Sequence, residues 1–320
     1  MPFSRIVGHK HIASLLMRAL EAGKLSHAYL FDGIDGLGMK DTALALVEAV
    51  FCNGRDGCGT CSSCRKVGGL RHPDLHLVQP DGAFIKIDRI RELQKELSLR
   101  PYEARTKACI IEDAERMNPS AANAFLKTLE EPPGEALLIL LTTHADGILP
   151  TIRSRCQRLR FPALPMETIE ADLRERGAEP ESSRVAAALA GGDLARARRL
   201  VSGDRLQVRK LFLERAAHLS GNDVTQLFAA AEEYATDKES ALELLDLLRL
   251  FWRDVLLLRT GSPGITNSDI LPLVNEKANT HSLDEVMEKL ECISRIGNAL
   301  ARNANHRLSL EVLFMELADA

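Results

Sequence analysis

A parallel α/β sheet domain followed by a wholly helical remainder is the fold class that the sequence predicts. Three observations carry it. In the first half, short apolar runs alternate with stretches of helical period. Beyond "FPALP" at 161–165 the strand-like runs stop and only helical ones continue. A glycine-rich loop, finally, joins the first apolar run to the next helix.

The first strand is "AYLFDG" (28–33), and the loop after it opens onto the helical run "DTALALVEAVF" (41–51). Further strands are "DLHLVQ" (74–79), "ACIIEDA" (108–114), "ALLILLTTH" (136–144) and "QRLRF" (157–161). Between them lie helices at "RIRELQKELSL" (89–99) and "SAANAFLKTLEE" (120–131), the second stopped by Pro132 and Pro133. Apolar strands separated by helices argue for a parallel sheet covered on both faces, with ligands at the carboxyl ends of the strands.

Residues 163–203 read as a small helical unit: "METIEADLRERG", "SSRVAAALAGG" and "DLARARRLVSG" each end at or near glycine. From Asp204 the pattern is long amphipathic helices, at 204–219, 222–235, 239–259, 282–304 and 308–320, interrupted by a loop around "GSPGITNSDILP". The division expected is therefore 1–162, 163–203 and 204–320.

At 320 residues there is length for two or three domains, each with a core. Lys and Arg number 41 against 45 Asp and Glu, a net charge of −4, so any nucleic-acid contact is local rather than global. Aromatic residues, at 4%, are too few for a base-stacking platform. "MPFSRIVGHKHIASLL" lacks the apolar core of a signal peptide, and no uninterrupted apolar run approaches the roughly 18–20 residues of a membrane span. The expectation is a cytoplasmic protein without a membrane partner, whose seven cysteines serve as thiols or metal ligands rather than disulfides.

The loop "GIDGLGMKDTA" sets Gly33, Gly36 and Gly38 at the spacing of a phosphate loop. That pattern asks for Lys and then Ser or Thr after the last glycine, to neutralise the β/γ-phosphates and to hold Mg²⁺. Met39 and Lys40 stand there instead. One helical residue is a rotation of about 100°, so Lys40 does not substitute for the missing lysine. The strand "ACIIEDA" resembles a Walker B strand, which in a hydrolysing site ends in Asp and then Glu. Here Asp113 is followed by Ala114, and the expectation is that ATP is not bound productively.

"CNGRDGCGTCSSC" places Cys52, Cys58, Cys61 and Cys64 within thirteen residues, a set that can wrap one tetrahedral, structural Zn²⁺. Local disulfides or free thiols are the alternative. His72 and His76 are poor rivals as ligands, because four cysteines already complete the shell. Cys109 and Cys292 sit in apolar runs as small core residues.

Taken together, "LSHAYLFDG", the cysteine cluster, "HPDLHLV", "NAFLKTLEEPP" and "TIRSRCQRLRF" resemble the delta-prime family of bacterial DNA polymerase III clamp-loader subunits, within the AAA+ superfamily. The resemblance is dense from Ile6 to Phe161; beyond about residue 205 only helical character and length match. It implies a RecA-like AAA+ domain with a zinc-binding insert at 52–64, a helical lid at 163–203 and a helical collar at 204–320, with Leu245, Leu248, Phe251 and Trp252 on the apolar faces of the collar. Relatives of the tau/gamma type keep an intact phosphate loop. Met39, Lys40, Ala114 and Ala195, the last at the position of a sensor arginine, set this chain apart from them.

What the resemblance further implies is a stator in a hetero-pentamer with tau/gamma and delta subunits, which loads a sliding clamp onto primed DNA. Arg155, in "SRC", would reach across a boundary to the γ-phosphate held by a neighbour, an arginine finger given in trans. From the residues alone, Arg153, Arg155, Arg158 and Arg160 read equally as solvated charges around an edge strand. The alternative function is an active ATPase of the tau/gamma type with a variant loop that uses Lys40.

Overall fold

The structure is a computed structural model that describes residue 3 and residues 6–318, except 55, 133, 220–224, 226, 227, 230 and 233–236. Pro133 and most of the helix read over 222–235 lie outside the described residues.

Runs of four to seven residues, too short for helices and in the inner positions wholly apolar or nearly so, become the strands. They are β1 (Ala28–Asp32), β2 (Leu75–Val78), β3 (Lys107–Ile111), β4 (Ala136–Thr142) and β5 (Gln157–Arg160). All pair in parallel, in the order β2-β3-β4-β1-β5. Burial follows position in the sheet. Every residue of the inner strands β1, β3 and β4 is buried, whereas the edge strands β2 and β5 are only partly covered. Each fully buried Leu, Ile or Phe contributes about 1.5–3 kcal/mol of transfer free energy.

Parallel strands need crossovers, and helices supply them. The first are α1 (Lys10–Glu21), α2 (Met39–Phe51), α3 (Ser62–Gly68), α4 (Ile87–Ser98), α5 (Pro119–Glu130) and the single turn α6 (Pro150–Arg153). On one face, Ile90 and Leu93 of α4 and Phe125 and Leu129 of α5 pack on Leu30 and Leu140. The alternate residues of β1 point the other way, where Phe31 meets the ring of Phe161 at 5.1 Å. The start of α5 is fixed by Asn118, whose side chain accepts from the Ala121 N–H at 2.8 Å, and by Pro119 in the first turn.

The chain forms two compact units, Met1–Asp172 with Gly191–Arg196, and Leu173–Ala190 with Ala197–Ala320. Beyond the sheet come α7 (Met166–Glu175), α8 (Pro180–Leu189) and α9 (Leu194–Val201). They are followed by α10 (Arg205–Ala217), α11 (Lys238–Arg259), α12 (Leu271–Thr280), α13 (Leu283–Ala301) and α14 (His306–Leu317). Leu245, Leu248, Phe251 and Trp252 are interior to the second unit, packed with Ile293 and Phe314. Their apolar face is therefore an internal core.

A polar network lies beside that core. Asp254 of α11 is fully buried; its Oδ2 accepts from the Thr266 N–H at 2.9 Å and from the Asn267 N–H and Nδ2, both at 2.7 Å. Arg209 donates to Asp269 at 2.8 Å and to the Asn267 side-chain oxygen. The glycine-rich loop before α12 is thus tied down from two helices. No described helix is long and apolar enough to cross a membrane.

Candidate phosphate loop, metal centre and arginine site

The loop between β1 and α2 has the form that its glycines prescribe. A Cβ on Gly33 would stand 2.6 Å from the Phe161 carbonyl oxygen, so no side chain fits there. Gly38 takes a left-handed conformation, φ 78°, as the residue that opens α2. One donor of the loop, however, is engaged from within. The Asp35 carboxylate accepts from the Gly36 N–H at 2.9 Å, a group that a phosphate oxygen would otherwise use.

From the far end of the unit, Asp193 presses on the same glycine: a Cβ on Gly36 would lie 1.7 Å from its Oδ1. Asp193 is held there by the Arg196 N–H at 2.7 Å, while the Ala195 N–H donates to the Gly36 carbonyl at 3.3 Å. Ala195 therefore meets the loop through its backbone and adds no cation.

Met39 is buried. Lys40 turns to the end of β3, where its Nζ meets Glu112 Oε1 at 2.7 Å. Glu112 also accepts from Gln79 at 3.0 Å. β3 ends at Ile111, and the next residue, Glu112, is the carboxylate that meets Lys40. Asp113 sits in a left-handed turn, φ 48°, and pairs with Arg116 at 3.4 Å.

A further carboxylate was not legible as part of the site. Glu115 accepts from the Thr142 hydroxyl at 2.7 Å and the Thr143 hydroxyl at 2.9 Å, at the carboxyl end of β4. The groups around the strand ends are thus arranged in internal pairs, with carboxylates where a polyphosphate would have to lie.

The four cysteines come together. Their sulfur atoms all lie within 4.8 Å of one another, and none is in a disulfide. Thiolates bound to a tetrahedral metal at about 2.3 Å stand roughly 3.8 Å apart, so the donor set fits a metal ion such as zinc. Backbone donors prepare it: Cys58 Sγ accepts from the Cys61 N–H at 3.3 Å, and Cys61 Sγ accepts from the Cys64 N–H at 3.4 Å at the start of α3. Hydrogen bonds from Thr60, and then from the Cys61 N–H, draw the exposed Cys58 thiol down to about 6. Burial pushes Cys64 up. His72 stacks on Phe51 at 4.6 Å, and neither it nor His76 belongs to the sulfur cluster. Burial lowers the pKa of both rings, favouring the neutral imidazole.

The arginines around β5 differ in their partners. Arg153 pairs with Asp146 at 2.7 Å, and Arg158 grips Asp32 through Nε at 3.0 Å and through Nη2. Arg155 Nη2 meets Glu130 Oε1 at 2.7 Å, and its Nη1 donates to the Thr151 carbonyl at 3.1 Å.

A parallel sheet of this order, with a glycine loop after β1 and a helical second unit, defines an AAA+ type of protein. A DNA polymerase III gamma subunit-related protein from Thermotoga maritima shares the fold with a TM-score of 0.51, at 19% identity over 94% of this chain and 96% of that one. The profile of the family described as DNA polymerase III, delta subunit, matches residues 8–165. The delta' subunit of DNA polymerase III from Bacillus subtilis (strain 168) is 33% identical over 316 residues, 96% of this chain and 95% of that protein. The tau subunit of the same organism is 30% identical over 290 residues, 82% of this chain and 51% of that protein. The chain belongs to the DNA polymerase III delta' family of clamp-loader homologues.

Proposed function

We propose that this chain is a non-hydrolysing subunit of the DNA polymerase III clamp loader, acting as a stator and giving Arg155 in trans to a neighbouring ATPase subunit. The observation that supports it is the internally engaged loop: Met39 buried, Lys40 paired with Glu112, and Asp193 against Gly36. A triphosphate needs a cation and free N–H groups; here Lys40 is paired with Glu112 and the Gly36 N–H with Asp35. In this reading the chain works in the cytoplasm within a hetero-pentamer with tau/gamma and delta subunits that places a sliding clamp on primed DNA, and membership of the delta' family supports it.

In this reading residues 1–162 form the AAA+ domain, with a structural Zn²⁺ on Cys52, Cys58, Cys61 and Cys64. Residues 163–203 form the lid, and residues 204–320 the collar. The guanidinium of Arg155 would stabilise charge that spreads over the phosphoryl oxygens in the transition state; its planar fork of donors suits them better than an ammonium.

Two measurements test this. Titration of the isolated chain with Mg·ATP should give no saturable binding. Micromolar binding, with turnover abolished by Lys40→Ala, would instead establish the tau/gamma-type ATPase. In the reconstituted complex, Arg155→Ala should leave assembly intact and slow hydrolysis at the adjoining subunit by roughly 10³-fold or more. Unchanged hydrolysis removes the finger.

A further inference from the structure

Glu130 closes α5, one residue before the Glu131–Pro132 stop of that helix, and Thr151 lies in α6. Their acceptors converge on one side chain. Glu130 Oε1 takes Arg155 Nη2 at 2.7 Å, and the Thr151 carbonyl takes Nη1 at 3.1 Å. Glu130 is the last residue of α5, where the helix carbonyls carry partial negative charge suited to a guanidinium.

An arginine has five N–H donors in a rigid plane. Two of those of Arg155 are held, and the other three have no partner among the described residues. With its side chain 38% exposed, the group is anchored from behind by this chain and left with donors for an oxygen-rich anion brought from outside. Arg153 and Arg158 pair with other carboxylates of the same unit, Asp146 and Asp32, so among these three arginines Glu130 serves Arg155 alone.

We infer that Glu130 is a positioning residue for Arg155, fixing the plane in which the guanidinium is presented to phosphate oxygens on a neighbouring subunit. This rests on the finger reading above and adds to it the residue that aims the finger. An exposed ion pair contributes little to stability by itself. Its effect here is on orientation, to which transfer chemistry is sensitive at the scale of about 1 Å. The length of α5, set by Asn118 at one end and by Pro132 at the other, delivers Glu130 to that place.

The test is a double-mutant cycle on steady-state ATP hydrolysis by the reconstituted complex, using Arg155→Ala, Glu130→Gln, both together, and Glu130→Asp. Glu130→Gln should lower kcat by roughly ten- to a hundredfold with KM within about twofold. The double variant should be no slower than Arg155→Ala alone, and Glu130→Asp, which keeps the charge, should recover part of the rate. If Arg155→Ala slows hydrolysis while Glu130→Gln does not, or if the two losses multiply, Glu130 has no positioning role and the finger stands. If Glu130→Gln acts only by releasing the subunit, seen as loss of complex on gel filtration, the inference also fails. If Arg155→Ala itself changes nothing, the underlying finger reading is what has failed.

Discussion

Lysine at position 40 carries its charge into the first turn of α2, where the helix dipole disfavours a cation, and Glu112 offsets this at 2.7 Å. The sequence pattern made the absence of Lys and Ser/Thr at 39 and 40 plain. It did not single out Glu112, because the apolar run ends at Ile111 before several neighbouring carboxylates, and only the fold shows which of them meets Lys40. Nor could local spacing reveal Asp193, which meets Gly36 across more than 150 residues of chain. The cysteines were fully legible, since four ligands within thirteen residues are close whatever the tertiary fold. Their chemistry yields a prediction. The Cys58 thiol, normally near 9, lies at about 6, so the folded chain favours the thiolate. That preference is complete above about 9 and is lost as the pH falls through about 6. In metal-stripped protein, iodoacetamide should therefore label Cys58 rapidly with a midpoint near pH 6, and buried Cys109 not at all. Equal labelling of both, or a midpoint in the ordinary thiol range, would contradict this.

Among the elements, the five strands were readable because interior parallel strands are continuous apolar runs, and β1, β3 and β4 are buried throughout. Besides the single turn α6, three helices were not read. α1 follows a charged amino terminus, α3 has seven residues inside the cysteine spacing, and α12 starts at a proline behind a loop of Gly, Ser and Pro. Short helices of weak propensity owe their existence to tertiary contacts, which local pattern does not contain. The loop before α12 depends on α11. Asp254→Ala removes the acceptor of three N–H groups, two of them backbone, and leaves the Arg209 side of the network without its counterpart. A loss of about 3 kcal/mol is expected on chemical denaturation, with Asp254→Asn costing less. A change within about 0.5 kcal/mol would mean that the loop holds its shape without the carboxylate.

At the scale of the whole molecule, the sheet and the helical core can be followed separately. Trp252 is the single tryptophan and lies in the helical unit, with the Lys289 ammonium 4.9 Å from its ring centre. The cysteine cluster belongs to the other unit. Removing the metal with a chelator should lower the first calorimetric transition by several degrees, since a ligand of the folded state stabilises in proportion to its occupancy. The Trp252 fluorescence transition should move less. A chelated sample that melts unchanged would show that the cysteines hold the insert without an ion. The placement of Asp193 on Gly36 also bears on repair of the loop. Exchanging Met39 and Lys40 for Lys and Thr would repair two letters of the motif yet leave a carboxylate seated on Gly36, and Glu115 still clasping Thr142 and Thr143. On the non-hydrolysing reading proposed above, restoring hydrolysis would take several changes together, each without effect alone.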